Sequence, residues 1–428
     1  MRSLLRVERH DLGGGVTLYT QGAIASSRIT VASWISPAGS SRDPPGKEGL
    51  AALTGRLLVT GTRKWDKREL ARRLDRIAAT LSVDVSWDGV TAEITGPTVV
   101  EQELLDILSE VVAHPRFDPA EVVRIRTAME ERLARDASQP SHRAERAFLE
   151  TLFPEGHPYH RNPGGNRRSV RALRPRDVAD FHHRNYRTGG SKIVITSRSE
   201  ERAVLRAVKA RMPPLPDGTT TRPSLPGRTP PGASREIALP IAGSQQVEIL
   251  VGGIAPSRTH PAFSALRMGN EVLGGRPILS RLFQSVREQE GLAYDTESDV
   301  TMLPEGGFWS AAAGTGAKTV RRVLGILQRE TRRMMTQPVS PEELHAIRES
   351  FIGSFLLHTD TPLAAHSFAD EVATYDLPPD HFETWPAELR RLTPEDIRTA
   401  MAEHLEGWAR PLVVVAGPPE GVRSIRGG

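Results

Sequence analysis

Short extended blocks rich in β-branched and apolar residues recur along the chain at Val16–Thr20, Ile29–Ile35, Glu236–Leu239 and Gln246–Gly252, and they predict strands. Longer apolar blocks follow each pair, at Gly46–Val59 and His260–Leu273, and predict helices. Further helix starts are marked by proline behind a polar cap: Asp118-Pro119-Ala120-Glu121 in the first half and Ser340-Pro341-Glu342-Glu343 in the second. The cap oxygen satisfies orphan amides, and the acids suit the positive end of the helix dipole. A third pairing closes each half. Arg174-Pro175-Arg176-Asp177 leads through a helix to a strand at Lys192–Ser197, and Thr393-Pro394-Glu395-Asp396 leads through a helix to Leu412–Ala416. Hairpins are expected at Gly13-Gly14-Gly15 and at Pro304–Phe308.

The same order of signals on both sides predicts a duplicated α+β domain of about 200 residues, each copy a mostly antiparallel sheet covered by helices. Between the copies lies Met212–Arg235, with Pro213-Pro214, Pro216-Asp217-Gly218, Pro223, Pro226-Gly227 and Pro230-Pro231-Gly232. Proline removes donors and stiffens the chain, so this stretch reads as an exposed linker. The expected organisation is a first domain over 1–211, a linker over 212–235 and a second domain over 236–428.

Composition narrows the function classes. Hydrophobic residues make up 38% and charged residues 25% of 428, a balance that folds. The net charge is +4, with arginines scattered beside acids rather than gathered on one face, which argues against a nucleic-acid partner. Cysteine is absent, excluding disulfides, thiolate metal sites and a cysteine nucleophile. The first residues lack the apolar run of a signal peptide, and no stretch approaches ~18 uninterrupted apolar residues. A cytoplasmic protein with no membrane association is expected.

Several segments together resemble the pitrilysin/insulinase zinc metallopeptidases. Gly49–Thr62 looks like the family's zinc helix, ending at the same Gly-Thr. Phe148–Phe153 followed by Gly156-His157-Pro158-Tyr159 is similar to its mid-domain signature. In the second half His260-Pro261-Ala262-Phe263 leads to Leu273-Gly274-Gly275, and Leu279–Tyr294 matches the family's second-half motif almost position by position. The resemblance implies a processing-peptidase-like fold of two homologous domains.

The match breaks where the family keeps its chemistry. The family's helix reads H-x-x-E-H, two zinc ligands one turn apart around a general base. On those positions this chain carries Ala52, Gly55 and Arg56. Alanine has no donor atom, glycine has no base, and a guanidinium repels a dication. The third family ligand, a glutamate, falls on Glu130 or Glu131, and one carboxylate cannot hold zinc. The other histidines singled out, His157, His160, His182, His183 and His358, form no ligand-spaced pair. Gly314–Thr319 lacks the Gly-Lys-Ser/Thr ending of a phosphate loop. No metal or other cofactor is therefore expected in this chain.

In the resembled family an arginine and a tyrosine contact the substrate backbone beside the zinc, and their spacing is kept here as Arg287 and Tyr294. A guanidinium and a phenol aimed at a developing oxyanion stabilise its charge in a dry cleft. The resemblance implies the metal-free subunit of a heterodimeric zinc endopeptidase. Its partner would be a homologous H-x-x-E-H chain holding the zinc, and its substrate a peptide. The alternative is a catalytically silent scaffold or peptide-binding protein of the same family.

Overall fold

The computed structural model describes residues 5–22, 27–219, 236–405 and 407–425, apart from the side chain of Tyr294. Eleven strands among them form two mixed sheets. In chain order these are β1 (Val7–Gly13), β2 (Val16–Gly22), β3 (Ile29–Ser36), β4 (Thr80–Val85), β5 (Val90–Pro97), β6 (Lys192–Ser197), β7 (Glu236–Pro240), β8 (Val247–Ala255), β9 (Ala293–Leu303), β10 (Gly306–Thr315) and β11 (Leu412–Gly417). The first sheet runs β1-β2-β6-β3-β5-β4 and the second β7-β11-β8-β10-β9. Within each, the first strand of the shared pattern pairs parallel with the last, β2 with β6 and β7 with β11. The remaining pairings are antiparallel. The duplication expected from the sequence is thus a duplication of topology, with β1 as an addition to the first copy.

The chain forms two compact units, and neither is a continuous stretch. One draws its described residues from 5–133, 161–219 and 356–384, the other from 134–160, 236–355 and 385–425. The helix Pro140–Leu152 therefore packs on β8 and β11 of the second sheet, while Pro362–Tyr375 packs on β3 and β6 of the first. Each half of the sequence lends one helix to the other's sheet. Phe148 makes the first of these seatings possible. Its ring meets Phe308 edge-on at 6.2 Å, and a Cβ at Gly252 would sit 2.6 Å from Phe148 Cζ, so only glycine leaves room.

The linker expected over 212–235 begins later than its prolines imply. Leu215 is buried, and the Thr188 and Gly189 amides donate to the Pro216 and Gly218 carbonyls at 3.2 and 3.1 Å. Residues 220–235 lie outside the described ones.

The first unit's core lies on one face of its sheet. Leu18, Ala32, Trp34, Ala92, Ile94 and Ile195 point toward Leu53, Leu57 and Leu58, all buried. Each fully buried leucine contributes roughly 2 kcal/mol relative to exposure. Strand alternation sends Ser33, Glu93 and Thr196 to the opposite face, beneath Pro362–Tyr375. Among the described residues no helix is long and apolar enough to cross a membrane.

Candidate functional site

The helix expected over Gly46–Val59 spans Leu50–Leu58. Gly49 has φ +93° and cannot continue a helix, and Asp43 takes over the cap. Its Oδ2 and Oδ1 accept the Gly49 and Ala51 amides, each at 2.7 Å. Burial pushes the Asp43 carboxyl up to about 7, against the pull of those two amides.

This helix carries the three positions where the family's metal chemistry would sit, and packing has closed over them. Ala52 and Gly55 are buried. A Cβ on Gly55 would overlap Val85 Cγ2 and stand 3.3 Å from Val83 Cγ1, so β4 fills the space a glutamate would need. Arg56 is half-buried. Desolvation lowers its proton affinity, helped by the like charge of Arg132 and opposed by Asp84. An apolar seal beside a guanidinium does not fit zinc. Glu130, on the helix Pro119–Asp136, stands 3.9 Å from Arg126 Nε and lines an open groove of about 470 Å³ with Arg167, Arg168 and Arg171. Glu131 is exposed. Neither carboxylate faces a ligand set.

Arg287 and Tyr294 both belong to the second unit. The helix expected over His260–Leu273 runs as Phe263–Asn270 and then widens into a π-helical turn, Glu271–Gly275; a second such turn, Phe283–Glu288, carries Arg287. Such turns break regular helix pairing and often accompany function. Arg287 Cζ lies 5.0 Å from the Phe283 ring centroid. Glu290, three residues beyond Arg287, pairs with Arg322. Gly291 turns the chain at φ +61°, with its amide donating to the Arg287 carbonyl at 3.0 Å. β9 then begins, and the Arg287 turn packs against it. Tyr294 is the bulged residue of β9: Ala293 pairs with Thr315 and Asp295 with Gly314, which leaves Tyr294 without an opposite number.

β9 is the outer strand of its sheet. Along it Asp295, Glu297 and Asp299 are exposed. Glu248 on β8 lies across Gly314 from Asp295. Burial, then Asp295 and Glu297, push the Glu248 carboxyl up to about 7.

Three of the histidines singled out in the sequence have structural roles. His182 stacks on Tyr186 and bonds the Val112 carbonyl at 2.8 Å, and burial lowers it to about 4. His157 stacks on Phe153, and His160 bonds the Phe153 carbonyl at 2.8 Å. A histidine that sequence reasoning missed is better placed. His366, on Pro362–Tyr375, is fully buried and lies with Asp370 and Glu93 so that one ligand atom from each falls within 4.8 Å of the others. Its i, i+4 spacing from Asp370 was the available signal; Glu93 comes from a strand far away in the chain.

Two mixed sheets of like topology define a duplicated α+β fold, and the helix Leu50–Leu58 carries no metal donor at positions 52, 55 and 56. Residues 22–160 match the family model described as insulinase (peptidase family M16), and residues 172–351 match that described as peptidase M16 inactive domain. The chain belongs to the M16 family, the pitrilysin/insulinase group. An uncharacterized zinc protease of Streptomyces coelicolor is 23% identical over 428 residues, covering 96% of this chain and 90% of that protein. A protein of Helicobacter pylori named as a non-peptidase homologue is 20% identical, over 86% of this chain and 84% of its own. The crystal structure of a peptidase M16 inactive domain from Pseudomonas fluorescens superposes with TM-score 0.88 at 24% identity, over 96% of this chain and 98% of that one.

Proposed function

We propose that this chain hydrolyses nothing alone and acts as the substrate-handling subunit of a two-subunit zinc endopeptidase. The partner is a homologous chain that carries H-x-x-E-H and supplies metal and general base. The absence of donor atoms at Ala52 and Gly55 and the charge at Arg56 support the first half of this reading.

The observation that carries the second half is the position of Tyr294 on an outer strand, beside the turn that bears Arg287. An outer strand offers one row of amides and carbonyls to an extended peptide, which then binds through its backbone with little side-chain preference. The exposed Asp295, Glu297 and Asp299 favour basic residues in that peptide. As a peptide carbonyl is attacked, charge grows on its oxygen. A phenol O–H and a guanidinium N–H donating to that oxygen lower the barrier without taking part in the bond changes.

The test is a peptidase assay on this chain mixed with an H-x-x-E-H partner, size-exclusion chromatography confirming the complex. Neither chain alone should cleave peptides, and the pair should. Wild-type turnover from intact complexes carrying Arg287→Ala and Tyr294→Phe together would leave this chain a scaffold.

A further inference from the structure

We propose that Glu93, His366 and Asp370 bind one divalent transition-metal ion, zinc by its donor set, at a site that fastens the helix Pro362–Tyr375 to the first sheet. The site is separate from Leu50–Leu58. That helix covers the sheet face bearing Ala92 and Ile94, and Glu93, between them on β5, points to the other face.

The hydrogen bonds around His366 leave one place for a proton or a cation. Thr196 Oγ1 donates its single proton to Gln21 Oε1 at 2.9 Å, so it accepts from His366 Nδ1–H, also at 2.9 Å. That sets the tautomer and leaves Nε2 with a lone pair. Nε2 faces Ser33 Oγ at 2.7 Å and Asp370 Oδ1 at 3.3 Å. Ser33 donates its only proton to Asp370 Oδ2 at 3.1 Å, so it has none for Nε2. Asp370 Oδ1 is itself buried with no hydrogen-bond partner. Three electron-pair donors therefore converge, and either a proton on the Asp370 carboxyl or a metal cation can sit between them.

A metal ion fits this arrangement. Tetrahedral zinc with bonds of ~2.0–2.1 Å holds its ligand atoms ~3.3 Å apart, close to the 3.3 Å between Nε2 and Asp370 Oδ1. Two carboxylates balance a dication, and the imidazole selects against the hard, oxygen-seeking calcium and magnesium. Ser33 Oγ or a water completes the set. The Thr196–Gln21 chain supplies the outer hydrogen bond that orients a metal-bound imidazole. The consequence is structural: residues 366 and 370, from the second half of the sequence, are tied to β5 of the first.

The full chain, stripped with a chelator and dialysed, is titrated with zinc chloride alone by calorimetry, and retained metal is counted after gel filtration. About one ion per chain should bind, and the melting temperature should rise by on the order of 5 °C at saturating zinc. Glu93→Gln with Asp370→Asn preserves size and should abolish retention, while Glu130→Gln should leave it unchanged. If the double variant does not fold by circular dichroism, Glu93→Gln alone should weaken binding at least tenfold. A wild-type chain that retains no zinc, or variants at 93 and 370 that retain it as the parent does, would overturn the site, as would a protonated Asp370 carboxyl or a doubly protonated His366 ring in the zinc-titrated chain.

Discussion

The helix Leu50–Leu58 and the segment Phe283–Leu303 are the two places to which the sequence resemblance assigns metal chemistry and substrate contact, and they are built differently. The helix carries no metal donor at positions 52, 55 and 56, and two of those positions are packed shut. Gly55 admits the Val83 and Val85 side chains, and Ala52 is buried. The turn and strand carry an arginine and a tyrosine, on a π-helical turn and at a bulge, two backbone irregularities that often accompany function. A helix without metal donors is free to pack on both sides. The irregular backbone of the second region is what the proposed substrate role rests on.

The largest expected effect comes from writing metal donors into the first of these regions. Ala52→His, Gly55→Glu and Arg56→His together rewrite H-x-x-E-H, yet the glutamate must displace β4 and then bury a carboxylate with no partner. We expect a loss of at least about 4 kcal/mol in urea unfolding, or failure to fold, and no gain in bound zinc over the parent chain. A folded variant that takes up one further zinc and hydrolyses peptide would show that the packing is incidental.

Next in size is the effect of removing the retained donors. In a reconstituted complex Tyr294→Phe should lower kcat on the order of a hundredfold, about 3 kcal/mol of transition-state stabilisation, with KM nearly unchanged. Arg287→Ala should change both, because a guanidinium also holds the substrate's ground state. Equal rises in KM with unchanged kcat for the two variants would reduce the pair to a peptide clamp.

The contrast between the regions was largely legible in the sequence. Alternation gave the strands, proline caps gave the helix starts, and the residues at 52, 55 and 56 announced the missing donors. Two things were not legible. Which sheet a helix covers is decided by packing, so the exchange of Pro140–Leu152 and Pro362–Tyr375 leaves no mark in chain order. The cluster at His366 was hidden for the same reason, since Glu93 and Ser33 reach it only through that exchange. β1 was missed because Glu8, Arg9, His10 and Asp11 give an outer strand no apolar signature.

A smaller effect should appear in the pH dependence of stability. Glu248 is held near a folded pKa of about 7, against 4.5 for the ordinary carboxyl. The folded chain therefore binds more protons than the unfolded one between those values, and stability falls as pH rises through that window and levels above it. Glu248→Gln removes the burden. Its advantage over wild type should be absent below the window and reach about 1–2 kcal/mol at alkaline pH, after allowance for solvent screening. Thermal unfolding at acid and alkaline pH measures it. A constant difference across pH would mean that neither burial nor the acids on β9 raise the Glu248 carboxyl.

The smallest effect belongs to the two glutamates on which the family's third ligand would fall, and its smallness is the point. If Glu130 or Glu131 still served as a ligand, losing its charge would cost metal and stability together. As ordinary helix acids they should cost almost nothing. Glu130 stands 3.9 Å from Arg126 Nε, both side chains partly exposed, and a pair of that kind is worth ~0–1 kcal/mol. Arg126 is held independently by donating from Nη1 to the Leu173 carbonyl at 2.8 Å, so it does not depend on Glu130 for its place. Glu131 is exposed, with no partner to lose. Glu130→Gln and Glu131→Gln, singly and together, should shift unfolding free energy by less than about 0.5 kcal/mol and leave zinc content and complex turnover as in the parent. A tenfold fall in turnover from either variant would mean that this helix still reaches the substrate, and the division between a sealed region and a working one would have to be redrawn.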